Sequence, residues 1–338
     1  MIRINLGAEG LGGVRFAVSP LDSAKDLIYS LRRTPQALSA DWRARTREAL
    51  VQHRLGLLGA VGGGGPCGYA PDFLRPESQG FETSVDAALH RVATAPTERI
   101  GYELALAVNG HPWDPASGEG APRPLLQALD RGERSFAHRL ADEMAQFWHA
   151  ALEPSWPGIR ARLEADVSAR ATAIAYHGLA DTLNRLAPNL AWCDGGLTLR
   201  LRPGSPHGLT VDARAVILVP SVFVNQAIFC AGEPGAPAPR TPLIIYPAAP
   251  ADCLAPSGED RLIGATRARI LAELSEPRST AELAQRLYLA PATVSYHLQI
   301  LHRAGLVTRE RRSRRVLYQR LGVRPRLGGC PRLGGGPL

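Results

Sequence analysis

Residues 279–305 constrain the fold of this chain most tightly, because they combine two helix start signals with one helix stop signal. Ser279 and Glu282 belong to the stretch S-T-A-E, a capping box in which each side chain accepts a hydrogen bond from the other residue's backbone N–H. Pro291 suits the first position of a second helix, and Gly305 suits its end. We therefore predict two short helices joined by a turn of three or four residues.

The apolar residues of these two helices recur at helical spacing, so that each helix has one inner face. The outer face of the second helix, over 291–304, is small and polar near its start. Nothing bulky would keep this face out of a DNA major groove, which is roughly 12 Å wide. The pattern is typical of a helix-turn-helix. The inner positions are predicted to be Leu283, Ala284, Leu287, Val294, Leu298 and Leu301.

Two predicted strands follow, over 306–310 and 316–321, and the segment R-R-S-R-R connects them. A run of arginines is usually no more than a solvated surface. Directly after a helix-turn-helix it favours a β-hairpin wing whose arginines neutralise DNA phosphates. We call residues 306–321 the wing.

The positive charge of the chain is concentrated at its C-terminal end. From Leu262 onward there are 14 arginines and four acidic residues, a net charge of +10, whereas the remainder has 25 basic and 27 acidic residues, a net charge of −2. A basic module beside a nearly neutral region indicates a polyanionic partner for that end only.

The stretches S-T-A-E-L-A-Q-R-L and A-P-A-T-V-S-Y-H-L-Q-I-L-H-R-A-G-L-V, with a basic hairpin ending in V-L-Y, resemble the winged-helix domain of ArsR-type transcriptional regulators. The resemblance implies a sequence-specific DNA-binding protein of a group that is usually homodimeric and usually repressing. Ala290 departs from the family, because many relatives carry a Ser or Thr cap there, worth about 1 kcal/mol. Ser313 stands where glycine is common. No cysteine pair lies near Ser279–Glu282, so we expect no metal sensing.

The candidate DNA contacts come from the second helix and the wing. The helix residues would read the major groove, and the wing arginines would hold phosphates or probe the minor groove. The candidates are Thr293, Ser295, Tyr296, Gln299 and Arg303 on the helix, and Arg311, Arg312, Arg314 and Arg315 on the wing.

The region before the helix-turn-helix is similar to that of actinobacterial-type regulators that join an uncharacterised N-terminal domain to an ArsR-like winged helix. The likeness rests on Y-A-P-D-F-L, W-P-G-I-R-A-R-L-E-A-D-V and V-P-S-V-F-V. We predict an α+β fold: a mixed N-terminal domain, with helical bulk and a small sheet, followed by a winged helix-turn-helix. The predicted domains are a regulatory and dimerisation domain of unknown ligand over 1–255, a DNA-binding domain over 256–321 and a disordered tail over 322–338.

No motif in the N-terminal region indicates an enzyme. The glycines of 7–13 lack the spacing of a dinucleotide site and favour a turn, while 62–65 lack a phosphate-loop lysine and 204–208 form no nucleophile elbow. We expect no catalytic residue, no cofactor and no metal site. Six aromatic residues could line a small-molecule pocket or belong to the core, and both remain open: Trp113, Trp148, Trp156, Tyr176, Trp192 and Phe223.

Partners and location follow from the same observations. No run approaches the roughly 18 apolar residues that span a bilayer, and the first residues lack a signal-peptide pattern. The five cysteines are scattered, which argues against a disulfide framework. We expect a cytoplasmic homodimer that binds double-stranded DNA and no membrane, with a small-molecule effector left open. The alternative is a small-molecule-binding or protein-interaction module whose winged helix docks a protein partner.

Overall fold

The computed structural model describes residues 1–63, 69–109, 125, 130–201, 208–230, 235–249, 263–312 and 315–321. The chain divides into two compact units, Met1–Ala255 and Pro256–Leu338. Helices and strands both contribute substantially, so the predicted α+β class is confirmed. The predicted tail over 322–338 lies outside the described residues. None of the described helices is both long and apolar enough to cross a membrane.

The first unit contains nine described helices and eight described strands. The helices are α1 (Gly7–Leu11), α2 (Pro20–Arg33), α3 (Ala40–Gln52), α4 (Gly56–Val61), α5 (Val85–Ala93), α6 (Thr97–Asn109), α7 (Glu133–Phe147), α8 (Trp156–His177) and α9 (Leu179–Asn184). The strands are β1 (Ile2–Asn5), β2 (Val14–Phe16), β3 (Leu190–Cys193), β4 (Gly196–Leu199), β5 (Leu209–Asp212), β6 (Val216–Ser221), β7 (Ile228–Cys230) and β8 (Leu243–Pro247). Short 3₁₀ turns lie at Pro35–Ala37, Asp72–Leu74 and Glu153–Ser155, and a π turn at Trp148–Leu152.

These strands form two sheets of four strands, in the orders β3-β4-β1-β5 and β2-β6-β8-β7. In the second sheet β6 runs parallel to both β2 and β8. All six residues of β6 are buried, as expected for a parallel strand covered on both faces. Successive residues of β6 enter different cores, because Leu218 belongs to one apolar cluster and Ile217 to another.

Local signals divide the helical part of this unit. Pro35–Ala37 forms a 3₁₀ turn ahead of α3. Helices α8 and α9 are separated at Gly178, whose φ of +82° suits glycine. The turn predicted over 7–13 is wrong in detail, because the segment contains the short helix α1.

Helix α2 carries charged residues into the interior of the first unit. Ser19 caps the helix by accepting a hydrogen bond from the Asp22 N–H. The Arg75 guanidinium pairs with Asp22 at 3.1 Å and with Asp26 at 2.5 Å, and all three side chains are buried. Lys25, only 2% exposed, donates to the Ala70 and Pro71 carbonyls. Because burial penalises its charged form, the pKa of Lys25 falls from 10.5 to about 8.

The second unit contains three described helices and three described strands: α10 (Ala265–Glu273), α11 (Thr280–Leu287), α12 (Pro291–Arg303), β9 (Arg278–Ser279), β10 (Val307–Arg312) and β11 (Arg315–Arg320). The sheet order is β10-β11-β9, so the predicted two-stranded ribbon is a three-stranded sheet. The strand β9 has only two residues, too few to show alternation. All predicted inner residues of α11 and α12 are buried in one cluster with Ile270, Leu271, Leu274, Val307 and Tyr318.

Candidate nucleic-acid interface

Helix α11 begins and ends on local signals. The predicted capping box is confirmed: the Glu282 N–H donates to the Ser279 hydroxyl, and the Ser279 N–H donates to the Glu282 carboxylate at 2.8 Å. The helix ends at Tyr288, which adopts a left-handed conformation with φ of +55°. Three residues, 288–290, then lead into α12, so the turn has the tightness that a helix-turn-helix requires.

Helix α12 starts at Pro291 without a side-chain cap, because Ala290 has no hydrogen-bonding group to offer. It stops where Gly305 takes a φ of +70°. Val294, Leu298 and Leu301 hold its inner face against the core of the second unit. The opposite face is therefore left to solvent.

That outer face is a stripe formed by Ala292, Tyr296, Gln299 and Arg303, spaced four, three and four residues apart. All four are exposed, and Tyr296 is 62% exposed. We call these residues the α12 stripe. Among the other candidates, Thr293 is exposed on one flank, whereas Ser295 is half-buried. The stripe is thus centred on Tyr296 and Gln299 rather than on Ser295.

His297 flanks the α12 stripe, directly after Tyr296 in the helix. Its ring packs edge-on against Tyr296, with 5.3 Å between the ring centroids. Its buried Nδ1 atom has no hydrogen-bond partner among the residues that the structure describes. Burial, followed by the nearby Arg267 charge, lowers the pKa of His297 below its ordinary 6.5. The imidazole is therefore uncharged near neutral pH and supports Tyr296 as a packing group.

The wing differs in length from its prediction. Antiparallel pairing continues from Val307 opposite Arg320 to Arg312 opposite Arg315. Arg311, Arg312 and Arg315 thus belong to paired strands rather than to a loop of five residues. Continued pairing satisfies backbone groups that a longer loop would leave to water. Arg314, also predicted to contact DNA, lies with Ser313 outside the described residues.

Strand geometry places two wing arginines on the helix side of the sheet. Val307, Arg309 and Arg311 alternate with their neighbours and therefore share one face of β10. Val307 is buried in the same cluster as Leu301 of α12. Arg309 and Arg311 are exposed further along that face. Arg309 was not among the predicted contacts, because the prediction rested on the run of arginines at the tip and Arg309 lies outside that run.

The charges of the second unit are unevenly neutralised. Glu273 pairs with Arg286 at 2.6 Å, and Arg278 pairs with Glu276 at 3.1 Å. By contrast, Arg303, Arg309 and Arg311 form no ion pair and no side-chain hydrogen bond within the described part of the chain. Their positive charges therefore remain available to an anionic partner. The excess of positive charge lies at the end of the α12 stripe and along the wing.

In the first unit, the described aromatic residues considered for a pocket lie in three separate places. Trp148 and Trp156 pack edge-on with 5.3 Å between ring centroids, which is ordinary core packing. Trp148, Trp156 and Phe223 belong to the helical core, and Trp192 packs beside the sheets. Tyr176 lies on the surface and is 79% exposed. Trp113 lies outside the described residues.

Residues 264–310 match a family of known proteins described as "Helix-turn-helix domain". The matched segment runs from the start of α10 into β10 and contains the whole α12 stripe. The chain thus carries a helix-turn-helix DNA-binding domain near its C-terminus. No curated protein and no solved structure matches the chain.

Proposed function

We propose that the protein is a sequence-specific transcriptional regulator of the ArsR type, acting as a homodimeric repressor. The observation that carries the proposal is the exposed α12 stripe, which ends at Arg303, together with Arg309 and Arg311 on the wing. None of these three arginines has an ion pair among the described residues. A helix of this shape fits the major groove, and the neighbouring arginines supply the phosphate contacts that hold it there.

In the proposed complex, helix 291–304 reads base edges. The amide of Gln299 can donate to and accept from an adenine simultaneously, which is the usual way that glutamine specifies this base. Thr293, Ser295 and Tyr296 are the other proposed groove contacts, with Arg303 at the flank. The wing, over 306–321, binds phosphates or the minor groove through Arg309 together with Arg311, Arg312, Arg314 and Arg315.

The dimer is proposed because a single helix reads too few base pairs for a unique site. Two copies would bind half-sites whose centres lie about 10 base pairs apart. No catalytic step and no cofactor form part of the proposed function.

The test is selection of bound duplexes from a random pool by the full chain, repeated with Gln299→Ala. We expect one enriched sequence with two half-sites, and a relaxed preference at one base pair per half-site in the variant, worth about 1–3 kcal/mol of discrimination. A selection that enriches no sequence would contradict sequence-specific reading.

The rival is a protein-docking role for the same helix and wing. It is favoured if the chain binds no duplex even at low salt, where nonspecific phosphate contacts are strongest. Repression is tested separately, by transcription in vitro from a promoter overlapping the selected site. We expect added protein to reduce the transcript, and an increase would indicate an activator.

A further inference from the structure

A cleft of about 370 Å³ opens on the first unit. Three separate stretches of chain line it: the 3₁₀ turn Asp72–Leu74 with the segment after it, the junction between α5 and α6, and Arg240 just before β8. A volume of this size lies at the lower end of the range for ligand pockets. The cleft suits a small molecule rather than a macromolecule.

The lining of the cleft carries an excess of positive charge. Arg91, Arg99 and Arg240 contribute three guanidinium groups, whereas Glu77 contributes the only carboxylate among the described lining residues. Both oxygens of Glu77 are already engaged by Thr241, one by the backbone N–H at 3.2 Å and one by the hydroxyl at 2.7 Å. Glu77 offsets at most one of the three arginine charges, so the described lining keeps an excess of positive charge.

Main-chain carbonyls hold the arginines in place. Arg91 donates to the Glu77 carbonyl at 2.6 Å, and Arg240 donates to the carbonyls of Asp72 and Arg75. Neither Arg91 nor Arg240 has an ion pair within the described residues. Each guanidinium has five N–H donors, and these contacts use only one or two of them. Two fixed, unpaired positive charges thus border the same cleft.

The third arginine is tied to the interior. Arg99 is only 4% exposed and pairs through Nε with Glu103 at 2.6 Å. Its Nη1 donates to the carbonyls of Pro237 and Ala238. Arg99 also belongs to the first turn of α6, whose N-terminal end borders the cleft and carries a partial positive charge. The helix end and the arginines therefore attract the same kind of ligand.

Apolar groups complete the lining. Phe73 is 2% exposed and forms part of the wall, and Pro76 and Pro96 contribute further carbon surface. A ligand that satisfied the whole cleft would need an anionic group and a small carbon skeleton.

We propose that this cleft binds a small organic anion, a carboxylate or a phosphate monoester. The charged group lies against Arg91, Arg99 and Arg240, and the carbon skeleton lies against Phe73 and the two prolines. The site goes beyond DNA recognition and does not depend on it, because every residue involved belongs to the first unit.

The experiment is isothermal titration calorimetry of the full chain, without DNA, with phenyl phosphate, benzoate, phenol and inorganic phosphate. We expect saturable binding of phenyl phosphate or benzoate, about tenfold or more tighter than phenol, since charge-assisted hydrogen bonds to arginine contribute strongly. The tighter of the two anions identifies the head group. We expect inorganic phosphate to bind more weakly than phenyl phosphate because it lacks the carbon skeleton.

The matched variants are Gln79→Glu and Gln36→Glu. Gln79 is an exposed cleft residue that makes no hydrogen bond to the described residues, so its replacement adds a negative charge without removing a contact. Gln36 is exposed outside the cleft lining and gives the same change of net charge. We expect Gln79→Glu to weaken anion binding about tenfold, through repulsion of the ligand, and Gln36→Glu to leave it unchanged.

Arg91→Gln should also weaken binding about tenfold, since it removes one charged donor. The proposal would be overturned if neither phenyl phosphate nor benzoate bound. It would also be overturned if phenol or inorganic phosphate bound as tightly as phenyl phosphate. A third contrary result would be that Gln79→Glu binds the anions with wild-type affinity. DNA binding by the same protein is measured separately. A cleft that binds no anion would therefore leave the proposed DNA-binding function untouched, and a chain that binds no DNA would leave the anion site untouched.

Discussion

Replacing Arg309 and Arg311 together by glutamine should flatten the salt dependence of DNA binding. Both side chains are exposed, share one face of β10 and have no ion pair among the described residues. If each neutralises one phosphate, each contributes about 0.9 to the slope of log affinity against log salt. The pair then accounts for about 1.8 per protomer and about 3.6 for a dimer.

Between about 50 and 200 mM salt, a slope contribution of 3.6 corresponds to roughly a 150-fold difference in affinity. The assay is fluorescence anisotropy of a labelled duplex at several salt concentrations. The control is Arg47→Gln with Arg162→Gln, two exposed arginines of the first unit, which removes the same net charge. Equal slopes for the wild type and the wing variant would refute the placement of these arginines on phosphates.

Two further outcomes are expected, one for helix capping and one for the buried lysine. Ser279→Ala should destabilise the start of α11 by about 1 kcal/mol, and Ala290→Ser should stabilise α12 by about 0.5–1 kcal/mol. Amide hydrogen exchange should therefore become faster in α11 of the first variant and slower in α12 of the second. Unchanged exchange rates would contradict the assigned helix caps. Between pH 8 and 10.5 the unfolded chain binds the Lys25 proton more strongly than the folded chain does. The free energy of unfolding of the wild type, taken relative to that of Lys25→Met, should therefore rise by about 3 kcal/mol as the pH rises across that window. Urea unfolding of both proteins at several pH values measures this difference. A difference that stays constant or falls would show that the lysine does not titrate as its burial implies.

Local signals explain what could be predicted from the sequence. The capping box at Ser279 and Glu282, the proline at 291 and the glycine at 305 act within a single turn of chain, so their structural consequences can be read from neighbouring residues. The inner faces of α11 and α12 follow from helical spacing in the same way. Strand β9 and the full length of the wing were missed because they depend on pairing between separated segments.

The same limit applies more strongly to the first unit. Strands β3, β5 and β7 have three or four residues each, and their partners lie elsewhere in the chain. The anion cleft joins residues 73–79, 91–99 and 240, whose proximity no spacing rule indicates. In a chain with 38 arginines and one lysine, no single arginine stands out by its residue type. Only the fold shows which of them share a cleft.

The central claim, that the α12 stripe reads base edges in the major groove, is tested most directly by dimethyl sulfate interference on the selected duplex. Methylation of guanine N7 adds bulk to the major groove, whereas methylation of adenine N3 alters the minor groove. We expect guanine methylation within the half-sites to block binding, because the added methyl group occupies space that the helix needs in the major groove. A complex that forms equally well on fully methylated and unmethylated half-sites would contradict insertion of this helix into the major groove.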